Sequence, residues 1–254
     1  HLRQNHCRQE NCIGLTLFMP EMLSPCAIVT GTSSGIGQAI ALKLLSEGWH
    51  VHGLDVAPTP LHHAQFSSWT LDLTQSDELE AVLDQIVSKH LPQVLVHAAG
   101  VLRVGSLGAL DMQAGQLMWQ LHVNVATRLA NRILPIMKHA HHGRMILVGS
   151  RVSVGIAGRS QYAATKAAIL SLARSWAAES IAEGVTVNVV SPAATDTPML
   201  KDPARVATTP RLPPIGRLIQ PDEVAALVAF LTRPEAAAIT GQDIAICGGA
   251  SVSR

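Results

Sequence analysis

Tyr162 precedes Lys166 by four residues, in Tyr162-Ala163-Ala164-Thr165-Lys166, and it is the only tyrosine in a chain of 254 residues. On a helix that spacing stacks the two side chains on one face, one turn apart. A phenol beside an ammonium can work as an acid or base near neutral pH. Free tyrosine titrates near ~10, and bringing it to ~7 takes roughly 4 kcal/mol of preference for the phenolate. A close cation in a partly dry site can supply that much. The same spacing also suits an ordinary surface pair, so the rest of the chain has to decide between the two.

A second group of residues points to a bound phosphate. Thr30-Gly31-Thr32-Ser33-Ser34-Gly35-Ile36-Gly37 joins an apolar run to a segment with helical spacing. Glycines there let the backbone approach a pyrophosphate seated on the positive helix N-terminus. The spacing is G-x-x-x-G-x-G, distinct from the commoner G-x-G-x-x-G dinucleotide fingerprint. Asp55 ends the next strand pattern, where a carboxylate can accept both adenosine-ribose hydroxyls and repel a 2′-phosphate. Serine stands at position 33, and the turn holds no arginine or lysine, so NAD is favoured over NADP. Asp72, flanked by Leu71 and Leu73, ends a third strand pattern where an adenine edge could be met.

Strand and helix patterns alternate from residue 26 onward. Strands are predicted at 26–30, 50–55, 68–72, 94–97, 144–148, 185–190 and 242–246. Helices are predicted at 36–46, at 76–90 with Ser76 as cap, at 113–139 with a kink at Pro135, at 160–181, and at 221–232 with proline at the start. This β-α-β alternation predicts an α/β fold: one doubly wound parallel sheet of about seven strands with helices on both faces, in a single Rossmann-type domain. Residues 193–220, crowded with Pro198, Pro203, Pro210, Pro213 and Pro214, form the one long loop and are expected to lie over the site.

Bulk properties exclude other classes. Hydrophobic residues make up 48% of the chain and charged ones 15%, which describes a buried-core globular protein. A formal net charge of +1 gives no reason to expect nucleic acid or an anionic membrane as partner. Four cysteines make no disulfide framework, so a cytoplasmic setting is expected. Cys7, Cys12 and His6 fit no zinc spacing, and His139, His141 and His142 read as a solvated turn. Residues 1–23 read as an added or upstream extension, with Met19 or Met22 as a natural start. Arg3, Arg8 and the short apolar run 13–18 only faintly echo a secretory signal. The catalytic domain is expected over 24–254.

Taken in order, these residues resemble the short-chain dehydrogenase/reductase family over about residues 24–250. The resemblance implies a nicotinamide-dependent enzyme that interconverts a secondary alcohol and a ketone, with NAD preferred. It implies that the turn carrying Gly31, Ser33, Ser34, Gly35, Ile36 and Gly37 holds the cofactor. Asp55, Asp72, Leu73, Ala98, Ala99, Gly100, Pro192, Thr195 and Thr197 are implied as further cofactor contacts. Tyr162 matches the catalytic acid/base, Lys166 the lysine that lowers its pKa and holds the nicotinamide ribose, and Ser150 the serine that bonds the substrate oxygen. Asn124, in Val123-Asn124-Val125, matches the asparagine that keeps a proton-relay water.

The chain also departs from the family pattern. His97-Ala98-Ala99-Gly100 stands where the family has Asn-Asn-Ala-Gly, and so lacks an asparagine that ties central strands together. Pro192-Ala193 replaces Pro-Gly, and Ser150 lies twelve residues before Tyr162 where thirteen is common. Segments 98–103, 188–192 and 239–244 resemble the 2,3-dihydro-2,3-dihydroxybenzoate dehydrogenase branch, with Arg103, Arg151 or Arg159 available for a substrate carboxylate. Sugar or polyol dehydrogenases and 3-oxoacyl-carrier-protein reductases compete for the same residues, as does a non-catalytic NAD-sensing protein. The family is usually tetrameric or dimeric, and the helix at 160–181, apolar or small nearly all round, suits a homo-oligomer.

Overall fold

The computed structural model describes residues 25–202 and 212–252. Seven strands pair in parallel in the order β3-β2-β1-β4-β5-β6-β7. They are β1 (Cys26–Thr30), β2 (His50–Asp55), β3 (Phe66–Thr70), β4 (Pro92–His97), β5 (Gly143–Val148), β6 (Val185–Pro192) and β7 (Asp243–Ile246). The strand order reverses between β1 and β4, which is where a doubly wound sheet opens a crevice at its carboxyl end.

The apolar runs of β1, β5 and β6 are buried along their whole length because helices cover both faces. Successive residues of β1 divide the core. Ile28 joins Leu79, Leu83, Leu129 and Ile133, whereas Ala27 and Val29 join Ile40, Leu44, Val224 and Val228. Helices α1 (Gly35–Ser46) and α6 (Pro221–Thr232) thus cover one face. The other is covered by α2 (Ser76–Val87), α4 (Val125–His139) and α5 (Ser160–Ser180), with α3 (Met112–Trp119) leading into α4. Among the described residues no helix is long and apolar enough to cross a membrane.

Several boundaries differ from the sequence expectation. β3 ends at Thr70 and not at residue 72, because its pairing with β2 closes at Asp55↔Thr70. Asp72 therefore stands in the following turn. The N-cap of α2 is Gln75, not Ser76, and no side chain caps it. The stretch from Met112 to His139 is helical throughout, but its irregularity falls upstream of Pro135, in a π-helical segment at Gln120–Asn124. The strand tie expected to be missing at 97–98 is made another way. Thr30 Oγ1 donates to His97 Nδ1 (2.9 Å) and accepts the amides of Ala98 and Ala99 (3.1 and 3.0 Å). His97 Nε2 donates to the carbonyl of Leu121 in the π segment (3.0 Å). These bonds lock β1, β4 and the π segment together.

Candidate active site

A cavity of about 770 Å³ lies at the carboxyl ends of the strands, centred on the reversal between β1 and β4. One end is a backbone cradle. Gly31 has φ +79°, and a Cβ there would lie 2.9 Å from the Ala99 amide nitrogen. A Cβ on Gly37 would lie 2.1 Å from the Gly31 carbonyl oxygen, so only glycine fits. Ser34 is the N-cap of α1 without a side-chain cap bond, and Ser33, Gly35 and Ile36 line the cavity beside it. A helix N-terminus left open in this way is ready for an anion.

Asp55 holds the turn from below. Its two carboxylate oxygens accept the amides of Ser33 (2.9 Å) and Ala57 (3.0 Å). Asp72 and Leu73 line the same end. Asp72 accepts the amide and the hydroxyl of Thr74, and the backbone bond in particular holds its carboxyl below the ordinary range. A glycine cradle followed by a ribose-height carboxylate fits a dinucleotide. Thr197 lies against the cradle, its Cγ2 3.2 Å from where a Cβ on Gly35 would stand, whereas Ala98, Ala99, Gly100, Pro192, Ala193 and Thr195 wall the other half.

Ser150, Tyr162 and Lys166 come together in that half, all buried and all lining the cavity. α5 presents Tyr162 and Lys166 on one face, and Ser150 follows β5 at the cap of a short 3-10 turn. Lys166 Nζ donates to the Val148 carbonyl (2.8 Å) and lies 5.7 Å from the centroid of the Tyr162 ring. Burial lowers the Lys166 ammonium to about 8. Ser150 Oγ accepts the Val152 amide (3.2 Å), which leaves its hydroxyl proton free to donate to a substrate oxygen.

Asn124 does not join them. It is exposed and is not part of the cavity wall. The residue turned inward is His122, fully buried, with its ring edge-on to Tyr162 at 5.6 Å. Its hydrogen bonds fix one tautomer. Thr165 Oγ1 donates its proton to the Tyr162 carbonyl, so it must accept from His122 Nδ1 (both 2.8 Å). His122 Nε2 then accepts the Val101 amide (3.0 Å). Burial, and next the Lys166 charge, push His122 well below its ordinary pKa, so the clamp is neutral. Sequence reasoning missed His122 because the π segment turns the helix by an amount that no local spacing encodes. A histidine within an apolar helical stretch was the only trace.

Of the three arginines, Arg151 and Arg159 line the cavity. Arg103 does not; it pairs with Asp202 at 3.3 Å. His139, His141 and His142 are exposed and do not converge. His6, Cys7, Cys12 and the rest of 1–23 lie outside the described residues, as do 203–211 of the proline-rich loop.

A doubly wound sheet with this cavity at its reversal is a Rossmann-type oxidoreductase scaffold. A family profile described as "Enoyl-(Acyl carrier protein) reductase" matches residues 31–251. The 3-oxoacyl-[acyl-carrier-protein] reductase of Vibrio cholerae serotype O1 is 37% identical over 234 residues, covering 88% of this chain and 96% of that one. A solved short chain dehydrogenase/reductase family protein is 30% identical with a TM-score of 0.79, over 90% of this chain and 98% of that one. The actinorhodin polyketide ketoreductase solved with NADPH is 26% identical with a TM-score of 0.81, over 91% and 98%. The chain belongs to the short-chain dehydrogenase/reductase family and is one of its oxidoreductases.

Proposed function

We propose that this protein is a 3-oxoacyl-thioester reductase that uses NADH, with Tyr162 as its acid. The observation that carries the reading is the buried Lys166 ammonium beside the Tyr162 ring, opening with Ser150 onto a cavity that has a glycine cradle at its far end. The similarity to 3-oxoacyl-[acyl-carrier-protein] reductases supports this substrate class over the dihydrodihydroxybenzoate branch. Leu102, Val152, Ile156, Met199 and Leu200 give the cavity an apolar wall for an acyl chain.

When bound, the nicotinamide supplies the hydride. Ser150 donates a hydrogen bond to the ketone oxygen, and Tyr162 delivers the proton to that oxygen. The Lys166 charge stabilises the phenolate left behind. His122 holds the 100–101 turn against α5 and so keeps the Tyr162 helix at a fixed distance from the carbonyl site. The described parts of the 193–220 loop line the cavity through Thr195, Thr197, Met199 and Pro213.

On the cofactor, the ketoreductase relative carries NADPH. The chain's own residues favour NAD. A 2′-phosphate would face the Asp55 carboxylate, and among the described residues the cations that line the cavity, Arg151, Arg159 and Lys166, belong to its other half. The α5 face carrying Ala164, Ala167, Ser171 and Ala178 is exposed and small, which supports a homodimer or homotetramer. Cys26 and Cys247 are unpaired, and we place the enzyme in the cytoplasm.

Steady-state assays on a 3-oxoacyl thioester with NADH and NADPH test the reading. Turnover with NADH that shifts toward NADPH in Asp55→Ser is the expected result. A second reading, a dihydrodiol dehydrogenase, is favoured only by Arg151 and Arg159 at the cavity. Turnover confined to a carboxylated cyclic diol would establish it and overturn the first.

A further inference from the structure

We propose that Cys26, His52 and His90 form a transition-metal site, suited to Zn²⁺, at the amino-terminal edge of the sheet. It is independent of the oxidoreductase chemistry. Cys26 opens β1 and His52 is the third residue of β2, while His90 lies between α2 and β4. The strands pair Cys26↔His50 and Ile28↔His52, so the pleat sends Cys26, His50 and His52 to the same face. That face is the one roofed by α2, whose Ile86 packs in the cluster containing Ile28 and whose end delivers His90. None of the three lines the catalytic cavity.

One ligand atom from each residue lies within 4.8 Å of the others, an arrangement found nowhere else among the described residues. The rings of His52 and His90 are 4.9 Å apart, and His50 stacks on His90 at 4.7 Å. Ligand atoms around tetrahedral zinc are about 3.3–3.7 Å apart, so the side chains close by roughly an ångström to bind. A thiolate with imidazoles selects zinc and its neighbours over hard cations such as Mg²⁺ or Ca²⁺. Three protein ligands leave one position for water or for His50.

A second observation points to a ligand. His52 is 3% exposed, yet among the described residues its Nε2 has no hydrogen-bond partner. Its Nδ1 accepts the indole N–H of Trp69 at 3.1 Å, which leaves the single proton of the neutral ring on Nε2. That donor is buried and unanswered, an arrangement folded proteins rarely keep without a reason. On binding, the Cys26 S–H bond breaks, a sulfur–metal bond forms, and the proton leaves to solvent. The His52 proton moves through solvent from Nε2 to Nδ1, and Trp69 gives up its bond there.

The test uses the full chain with Cys7→Ser and Cys12→Ser, which removes the other thiols near the amino terminus. Titration with Co²⁺ should give one equivalent with a near-ultraviolet sulfur-to-cobalt charge-transfer band, displaced by Zn²⁺. Cys26→Ser should abolish the band. His90→Gln, at a partly exposed position where folding is not at risk, should weaken Co²⁺ affinity at least tenfold. Changing His139, His141 and His142 together to Gln should leave both unchanged. Saturating Zn²⁺ should raise Tm by about 5 °C at a hundredfold excess over Kd. A parent chain without the band, or a band that survives Cys26→Ser in protein with native circular dichroism, overturns the site. So does an affinity indifferent to His90→Gln.

Discussion

At the scale of single residues, burial separates Tyr162 and Lys166 from a surface pair with the same spacing. Tyr162→Phe removes the proton but leaves the cavity, so we expect kcat to fall about 10²–10⁴-fold. Cofactor affinity, read by fluorescence titration, should hold within a few-fold. Lys166 carries a conflict between stability and function. Its folded pKa, about 8, lies below the unfolded value near 10.5. The unfolded chain therefore binds the extra proton across that window. The destabilisation is complete below about pH 8 and fades as pH rises toward 10.5. It amounts to about 3 kcal/mol, less about 1 kcal/mol for the lost bond to Val148. Lys166→Met should thus lose turnover yet gain about 1–2 kcal/mol at pH 7, seen as a higher Tm in calorimetry. A lower Tm would mean that the ammonium is not the costly group. His122→Leu should cost about 1–3 kcal/mol, because it leaves the buried Val101 amide without its acceptor.

At the scale of elements, the glycine turn works because backbone occupies the space where side chains would otherwise stand. Gly37→Ala places a Cβ 2.1 Å from the Gly31 carbonyl, so α1 must shift away from β1. We expect a stability loss of about 1–3 kcal/mol in denaturant unfolding, together with lost cofactor binding. Gly48→Ala is the control, since nothing lies within 4 Å of its Cβ position. Its positive φ costs stability but should leave cofactor binding intact. The helix between β4 and β5 shows the limit of element reading. Helical spacing marks the long helical stretch expected over 113–139, but its irregularity does not fall at Pro135. The π segment instead makes long-range bonds, chiefly His97 to the Leu121 carbonyl and His122 to Val101 and Thr165. Those bonds bury His122, whereas Asn124, matched by resemblance to the asparagine of the proton relay, stays exposed.

At the scale of the whole molecule, several histidines are buried as neutral groups in the core. Burial above all lowers His97 to about 3 and His52 to about 4. Their folded values lie below the unfolded 6.5, so the unfolded chain takes up protons first as pH falls. The stability they contribute is complete above about pH 6.5 and is lost progressively as pH drops toward 3. Urea unfolding between pH 7 and 4 should show this decline. His97→Gln, which can still meet Thr30 and Leu121, should reduce the slope between about pH 6 and 4 by roughly 1.4 kcal/mol per pH unit. An unchanged slope would remove His97 from the account.

The sequence by itself determined the fold class, a parallel sheet of about seven strands implied by β-α-β alternation, and the glycine turn, while its family resemblance named Ser150, Tyr162 and Lys166. Each is written in local periodicity or in short motifs whose physics needs only neighbouring residues. The tertiary structure decided what depends on residues far apart in the chain. It buried His122 and left Asn124 exposed, tied β1 to β4 through Thr30 and His97, and took Arg103 out of the site by pairing it with Asp202. It also brought Cys26, His52 and His90 together from two strands and a loop. These contacts follow from strand register and helix rotation, and both are set by packing over the whole sheet.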